Sequence, residues 1–495
     1  MAKQTYRNYV ILPKQGVRFP DGNPISETRE VFSKLTVDTH LDDVLQNNLS
    51  EQAVVLDSTY QGSAKLVRLP ESELPSLRAQ LPGLRIVPEV FYYTQRWKQE
   101  IRVKAQSLAG QAKVSVKIQL KEAKTGKPVV GATVVAFTNF AQREGEQAES
   151  NAQGVVRFKT IGNRLLDQVY VYPKIGYWSF WKQKVTLKNG DTFSIQPVKL
   201  DYLDAKTFFY PPTDAGEPAG RGVKVGVIDT GAGPHPDLTI TGGACTVTGD
   251  NPVDFSDVDE HGTHVSGIIA AHGTPPTGVR GAAPDAELHV YRVFGKATEG
   301  ASNFAIIKAI EQAVADGCDL INMSLGGGDA DDATQDAISF AHSNGTVCFV
   351  ATGNDGRQPV SFPASYSLSL AVGAMGRKGT FPANTTDAPN VAAPYGTDKK
   401  NFVAAFSNIG PEVDFIAPGV GIISSVPGGY APMSGTSMAC PMATGVAARL
   451  LSNEPAILEM PRTADRAEAI VRFLAEHVKQ MGFGPTFEGT GMLFV

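Results

Sequence analysis

Four short stretches hold residue types that could do chemistry together. In SGTSMACPMATG (434–445), small residues crowd around Ser437 at the mouth of an apolar helical pattern. Small neighbours let a helix sit close to a sheet; they also leave room for a substrate at a nucleophilic hydroxyl. VKVGVIDTG ends an apolar run on Asp229. A carboxylate is costly there unless its charge is used, and a turn cap at the strand end is the plainer use. DEHGTHVSGIIAA sets His261 and His264 three residues apart on one helix face. A metal pair needs further ligands, and none cluster nearby, so a general base or a packed histidine is the better reading. TVCFVATGNDG closes another strand on Gly353, Asn354 and Asp355. A side-chain amide there suits either an oxyanion donor or a polar turn.

The elements around these residues give them a common place. After Gly222 the sequence alternates strands (VKVGVID, ELHVYRV, DLINMSL, TVCFVAT, LSLAVGAM, VDFIAPG) with helical stretches at 302–315, 331–343 and 437–451. Such alternation predicts an α/β fold with a mostly parallel sheet and helices on both faces. Sites on such sheets lie at the carboxyl ends of the strands. Asp229, His261, Asn354 and Ser437 would all face that edge. An orienting acid, a base, an oxyanion donor and a nucleophile are the parts that acyl transfer needs.

In order and spacing, DTG at 229, HGTHVSG at 261, INMSLGG at 321, ATGN at 351, FSNIGPEVDFIAPG at 406 and SGTSMACP at 434 resemble the subtilisin-like serine proteases. The resemblance covers about the last 275 residues. It implies a serine endopeptidase acting on protein or peptide substrates through an acyl-enzyme. Ser437 would attack the scissile carbonyl. His261 would take its proton and return it to the leaving amine, and Asp229 would hold the imidazole. Asn354 and the Ser437 N–H would receive the oxyanion. Ser324, Leu325 and Gly326 match the segment that pairs with an extended substrate, and Gly300 matches the facing segment. Gly353 and Asp355, with residues near Ser361, match the pocket for the residue before the cut bond (P1). Asp355 would draw a basic P1 side chain if it points inward. His264 becomes a structural histidine.

Departures from the family pattern are few. Met442 stands where many relatives have histidine, and Cys440 is read as a packed thiol. The usual calcium loop is replaced by AAHGTPPTGVR (270–280), with Asp237 the one matching acidic ligand. No metal site and no required cofactor are therefore expected, with calcium left open although its usual loop is not matched. Because all four chemical positions match, an inactive scaffold of the same fold is the weaker alternative. A protease that cuts mainly itself and stays locked is a third possibility.

The rest of the 495-residue chain reads as two further units. Residues 1–97 alternate strands (YVIL, AVVLD, AKLVRL, LRIVPEVF) with helical stretches (ISETREVFSKL, ESELPSLRAQL, with Glu71 and Ser72 as starters), which predicts a small ferredoxin-like α+β unit. It resembles the inhibitory propeptide of subtilisins. On that likeness YYTQR (92–96) would be the tail in the substrate cleft, and self-cleavage would fall near or after it. Residues 112–200 carry short alternating strands and turn sequences such as TGKP and NAQG, and predict a β-sandwich. They resemble transthyretin-like and carboxypeptidase-regulatory-like modules. Residues 204–222 read as a linker before a catalytic unit at 223–495, and 376–401 as a surface insertion open to a partner.

A formal charge of −5 without a basic run argues against nucleic acid or an anionic membrane surface as partner. The N-terminus lacks the apolar region of a signal peptide, and no apolar run is long enough to span a bilayer. A cytoplasmic location is expected, with export by another route left open. Four cysteines without CxxC spacing read as free thiols, although one disulfide in an exported protein would also fit.

Overall fold

The computed structural model describes residues 5–13, 32–45, 49, 53–60, 63–80, 83–99, 114–211, 219–296, 298 and 300–495. Most of the helix expected at 25–35 lies outside them. The first unit is a four-stranded antiparallel sheet of β1 (Tyr6–Pro13), β2 (Val54–Ser58), β3 (Lys65–Pro70) and β4 (Leu84–Pro88), in the order β2-β3-β1-β4. Helix α1 (Leu74–Gln80) follows β3 after a turn of 3-10 helix at Glu71–Glu73. Side chains alternate across a strand, so Tyr9 and Ile11 enter one core with Val67 and Leu77. Val10 and Leu12 face the opposite way, into an apolar cluster shared with the last unit. Burial on both faces explains the unbroken apolar run YVIL. After β4 the chain extends as β5 (Phe91–Thr94).

The middle unit packs two sheets face to face. One holds β6 (Val116–Glu122), β9 (Val155–Phe158) and β12 (Thr192–Ile195) in the order β12-β6-β9. The other holds β7 (Thr133–Asn139), β8 (Glu144–Glu149), β10 (Leu165–Tyr172) and β11 (Phe180–Thr186) in the order β11-β10-β7-β8. Ile118, Leu120, Val134, Phe158 and Val169 fill the space between them. The edge strands β8 and β11 carry too few apolar residues to be read from sequence; charged edges resist pairing with other chains.

The last unit is built on a nine-stranded sheet. Strands β13 (Lys224–Asp229), β14 (Ile240–Cys245), β15 (Glu287–Arg292), β17 (Leu320–Met323), β19 (Val347–Ala351), β20 (Ser369–Arg377), β21 (Val391–Tyr395) and β22 (Asn401–Ala404) run in the order β14-β15-β13-β17-β19-β20-β22-β21. The ninth strand, β23 (Val413–Pro418), pairs with β20. The pairings from β14 to β20, and that of β23, are parallel. Helices α2 (His261–Ala270) and α5 (Thr436–Leu451) cover one face, where Val225, Val227, Val265, Ile268 and Val446 meet. Helices α3 (Asn303–Ala315) and α4 (Asp332–Ser343) cover the other, where Ile228, Ile321, Phe304 and Ile338 meet. No helix of the described residues is long and apolar enough to cross a membrane.

The units grip one another. The β1 sheet sits on α3 and α4: Lys308 Nζ meets the Asp57 carboxylate at 3.0 and 3.1 Å, Arg85 pairs with Asp336, and Ser63 bonds Glu311. The middle unit docks through its β10–β11 end. Gly176 N donates to the Tyr430 carbonyl at 2.9 Å and Trp181 N to the Asn384 carbonyl at 2.7 Å. Ser179 Oγ lies 2.6 Å from Thr386 Oγ1. These partners correct the reading of 376–401 as a free surface loop: β21 and β22 extend the main sheet, and Thr385, Thr386, Asp387 and Asn390 are buried. The stretch read as a linker starts on a short helix, Ala205–Phe209. Asp204 caps it through Thr207 N and also accepts Ile423 N at 2.9 Å, which ties it to the last unit. Residues 212–218 lie outside the described set.

Candidate active site

Asp229 ends β13 at the carboxyl edge of the sheet. Its Oδ1 accepts the next backbone N–H, of Thr230, at 2.7 Å and faces His261 Nδ1 at 2.7 Å. The turn cap and the acid–imidazole contact are therefore made by one oxygen. A carboxylate can only accept, so the His261 Nδ1 carries the proton and Nε2 is left as a base. Thr230 fixes the helix that holds His261: its hydroxyl accepts Gly262 N at 2.8 Å and donates to Asp257 at 2.8 Å. Asp257 also accepts Thr263 N at 2.8 Å. Together they satisfy N–H groups in the first turn of α2, which the helix cannot satisfy itself.

Ser437 is the second residue of α5, whose cap is Gly435. Pro441 lies inside that helix and has no N–H to give the Ser437 carbonyl. Ser324 Oγ supplies the missing donor at 3.0 Å. The Ser437 hydroxyl donates to the Ser324 carbonyl at 2.9 Å, and His261 Nε2, buried, has no hydrogen-bond partner among the described residues. Asp229, His261 and Ser437 are at most 1% exposed. Asn354 follows β19. Its Oδ1 accepts Thr436 N at 2.9 Å and Thr436 Oγ1 at 3.0 Å, which leaves its NH2 directed at the Gln95 carbonyl.

The chain's own residues 91–97 fill the cleft in front of these groups. Strand β5 runs antiparallel between β16 (Ala301–Ser302) and β18 (Leu325–Gly326), with Ala301 opposite Tyr92 and Gly326 opposite Tyr93. Gln95 N donates to the Ser324 carbonyl at 3.2 Å, and Trp97 N to the Ser434 carbonyl at 2.8 Å. Between them the Gln95 carbonyl accepts the Ser437 N–H at 3.1 Å and the Asn354 amide. The chain passes so close that a Cβ on Gly435 (φ +151°) would lie 2.3 Å from the Gln95 oxygen. Gly300 touches the same strand, 3.1 Å from Phe91 Cβ by the same measure.

Beyond Gln95 the cleft widens into a cavity of about 640 Å³. Asn354, Asp355 and Phe406 line one wall, and Phe140, Arg143 and Tyr170 of the middle unit line the other. Trp97 stacks on Phe406 at 5.8 Å. Asp355 lies here and not on the Gln95 side chain: its carboxylate accepts Asn408 Nδ2 at 2.9 Å. The Gln95 side chain instead lies over Gly326 and Gly327, near Ser361. Asn408 thus holds the carboxylate that would draw a basic P1 side chain if it pointed inward. Gly353 backs Asn408 and Ser361, at 2.3 Å and 2.9 Å from a built Cβ.

The other singled-out residues lie around the site. His264 Nε2 is 3.0 Å from the carbonyls of Ile422 and Ala431, and burial drives its pKa well down, so it is a neutral packing residue. Met442 is buried, and burial pushes the Cys440 thiol far up, away from thiolate chemistry. All four cysteines are free and buried. The Asp237 carboxylate accepts Val279 N at 2.8 Å and the Tyr430 hydroxyl at 3.0 Å. Among the described residues no group of three or more His, Cys, Asp or Glu is placed to hold a metal ion. Sequence reasoning missed Thr436 and Asn408, whose roles depend on contacts across 82 and 53 positions.

Comparison with known proteins agrees with this geometry. Residues 220–477 match the subtilase family, Peptidase_S8. Subtilisin BL of Lederbergia lenta is 39% identical over 237 residues, covering 48% of this chain and 78% of that protein. Subtilisin DY of Bacillus licheniformis is 37% identical over 271 residues, 54% of this chain and 86% of that protein. M-protease of Shouchella clausii (strain KSM-K16) is 39% identical over 237 residues, but there the match spans only 56% of the relative. From residue 220 onward, the chain belongs to the subtilase family of serine endopeptidases and carries its α/β catalytic domain, whose chemistry needs no cofactor.

Proposed function

We propose that the protein is made as a self-inhibited precursor of a serine endopeptidase and cuts itself between Gln95 and Arg96. The observation that carries this is the Gln95 carbonyl in the grip of the Ser437 N–H and the Asn354 amide, two donors aimed at one oxygen. Strand addition on both sides of residues 91–94 supports the same reading, because extended peptides bind in this way. Rotation of the Ser437 hydroxyl from the Ser324 carbonyl to His261 Nε2 would bring it to the Gln95 carbonyl carbon. His261 would accept its proton while Asp229 steadies the imidazolium, and the oxyanion would gain from both donors and from the N-terminus of α5. The proton would then pass to the Arg96 amine as the C–N bond breaks, and water would hydrolyse the acyl-enzyme.

On this reading residues 1–95 are the inhibitory, ferredoxin-like propeptide, and their docking on α3 and α4 holds the tail in the cleft. The transthyretin-like β-sandwich stays on the mature enzyme and forms one wall of the cleft for the residues that follow the cut bond. The test is hydrolysis of an unrelated unfolded protein by the wild type and by Ser437→Ala. Cleavage by the wild type alone supports a free endopeptidase. Absence of cleavage by both favours the locked protease.

A further inference from the structure

The pocket for the fourth residue before the cut bond (P4) carries a feature that the triad does not use. Tyr92 occupies it and is fully buried. Its ring joins the apolar cluster of Phe304, Leu325, Ala333 and Tyr366. Gly328 gives the ring a flat wall: a Cβ there would lie 2.6 Å from Tyr92 Cδ1. At the far end the phenol meets a carboxylate. Tyr92 OH donates to Asp331 Oδ2 at 2.7 Å and lies 3.2 Å from the Asp329 carbonyl.

Asp331 is 6% exposed and held on every side. Its Oδ1 accepts Thr334 N at 2.9 Å, as the cap of α4, and Asn303 Nδ2 at 3.2 Å. Its backbone N–H and carbonyl both bond the Tyr366 hydroxyl at 2.8 Å. Oδ2 has the tail's phenol as its hydrogen-bond donor. Once residues 91–95 leave, a buried carboxylate oxygen at the end of an aromatic-sized slot needs a new donor. A tyrosine supplies one at the right depth. A phenylalanine fills the slot but leaves the oxygen unpaired, which is the costly case. A lysine brings a charge into apolar walls and loses its hydration.

We propose that Asp331 makes this enzyme selective for tyrosine at P4, over phenylalanine and over basic residues. The proposal rests on the reading of residues 91–95 as a substrate-like tail. The test uses the full chain after self-processing and three peptides that differ only at P4, as Tyr, Phe or Lys. The expected result is a kcat/KM for Tyr at least about tenfold above Phe, with Lys below Tyr. In Asp331→Ala the Tyr-to-Phe ratio falls to about one. Asp331→Ser keeps an oxygen for the helix cap but is too short to reach the phenol, so it should give the same loss if the alanine variant folds poorly. Equal rates for Tyr and Phe in the wild type, a ratio that survives both substitutions, or a preference for Lys would overturn the proposal. Failure to cleave any of the peptides would overturn the tail reading itself, and this proposal with it.

Discussion

The carbonyl oxygen of Gln95 accepts the backbone N–H of Ser437 at 3.1 Å, across 342 positions of sequence. On the proposed reading it holds the peptide carbonyl that the Ser437 hydroxyl would attack. The other contacts of the tail are consistent with it: β-pairing before Gln95, the bond from Trp97 N to the Ser434 carbonyl after it, and Asn354 on the same oxygen. In this arrangement the Ser437 hydroxyl rests on the Ser324 carbonyl, the state from which the proposed attack would start.

Asn354 gives the most direct check on the proposed oxyanion site. Its amide is oriented by two contacts to Thr436, so alanine removes the donor together with the acceptor for Thr436 at the start of α5. Asn354→Ala should lower kcat by about two to three orders of magnitude with little change in KM. Steady-state kinetics on one peptide substrate measures both, and an unchanged kcat would remove Asn354 from this role.

Trp178 tests whether the middle unit and the catalytic unit are one cooperative body. It belongs to the β-sandwich region in sequence but is 1% exposed within the main core of the catalytic unit. It packs edge-on against Tyr202 at 5.1 Å and backs Gly421 at 3.3 Å from a built Cβ. Trp178→Ala should cost about 3–5 kcal/mol in denaturant unfolding. A loss below about 1 kcal/mol would mean that the sandwich is only loosely attached.

Asp414 sets a pH dependence. Its carboxylate accepts Ala371 N at 2.7 Å, and burial pushes its pKa up to about 6. The folded state therefore holds this proton more tightly than the unfolded state does. The stabilisation from that proton is present below the ordinary value of 3.8 and is lost as pH rises through about 6. Asp414→Asn keeps the acceptor and removes the titration. The stability of the variant relative to wild type should rise by on the order of 3 kcal/mol between pH 4 and 7, then stay level. Denaturant unfolding of both proteins at four pH values measures it; a constant difference would contradict it.

Much of this was legible in the sequence because the signals are local. Asp229, His261, Asn354 and Ser437 each sit at the end of a strand or the start of a helix, and the periodicity that defines those elements needs no long-range information. The exact occupant of the cleft was less legible. YYTQR could be picked out as a tail, but nothing local says that Gln95, and not Arg96, reaches Ser437. The register depends on pairing with Leu325 and Gly326, more than 200 positions away. Asp355 was illegible for the same reason: its partner Asn408, 53 positions on, holds its carboxylate. Strands β8 and β11 went unseen because edge strands can be polar. The 376–401 segment looked like a free loop because the partners of Thr386 and of the Asn384 carbonyl, Ser179 and Trp181, belong to another unit.

The central claim is that the chain cuts itself between Gln95 and Arg96 using Ser437. Intact masses of purified wild type and Ser437→Ala, after hours at neutral pH, test it most directly. The account predicts a wild-type product that begins at Arg96 and keeps the β-sandwich, beside an uncut mutant. Two full-length proteins, or a wild-type cut elsewhere such as in residues 212–218, would contradict it.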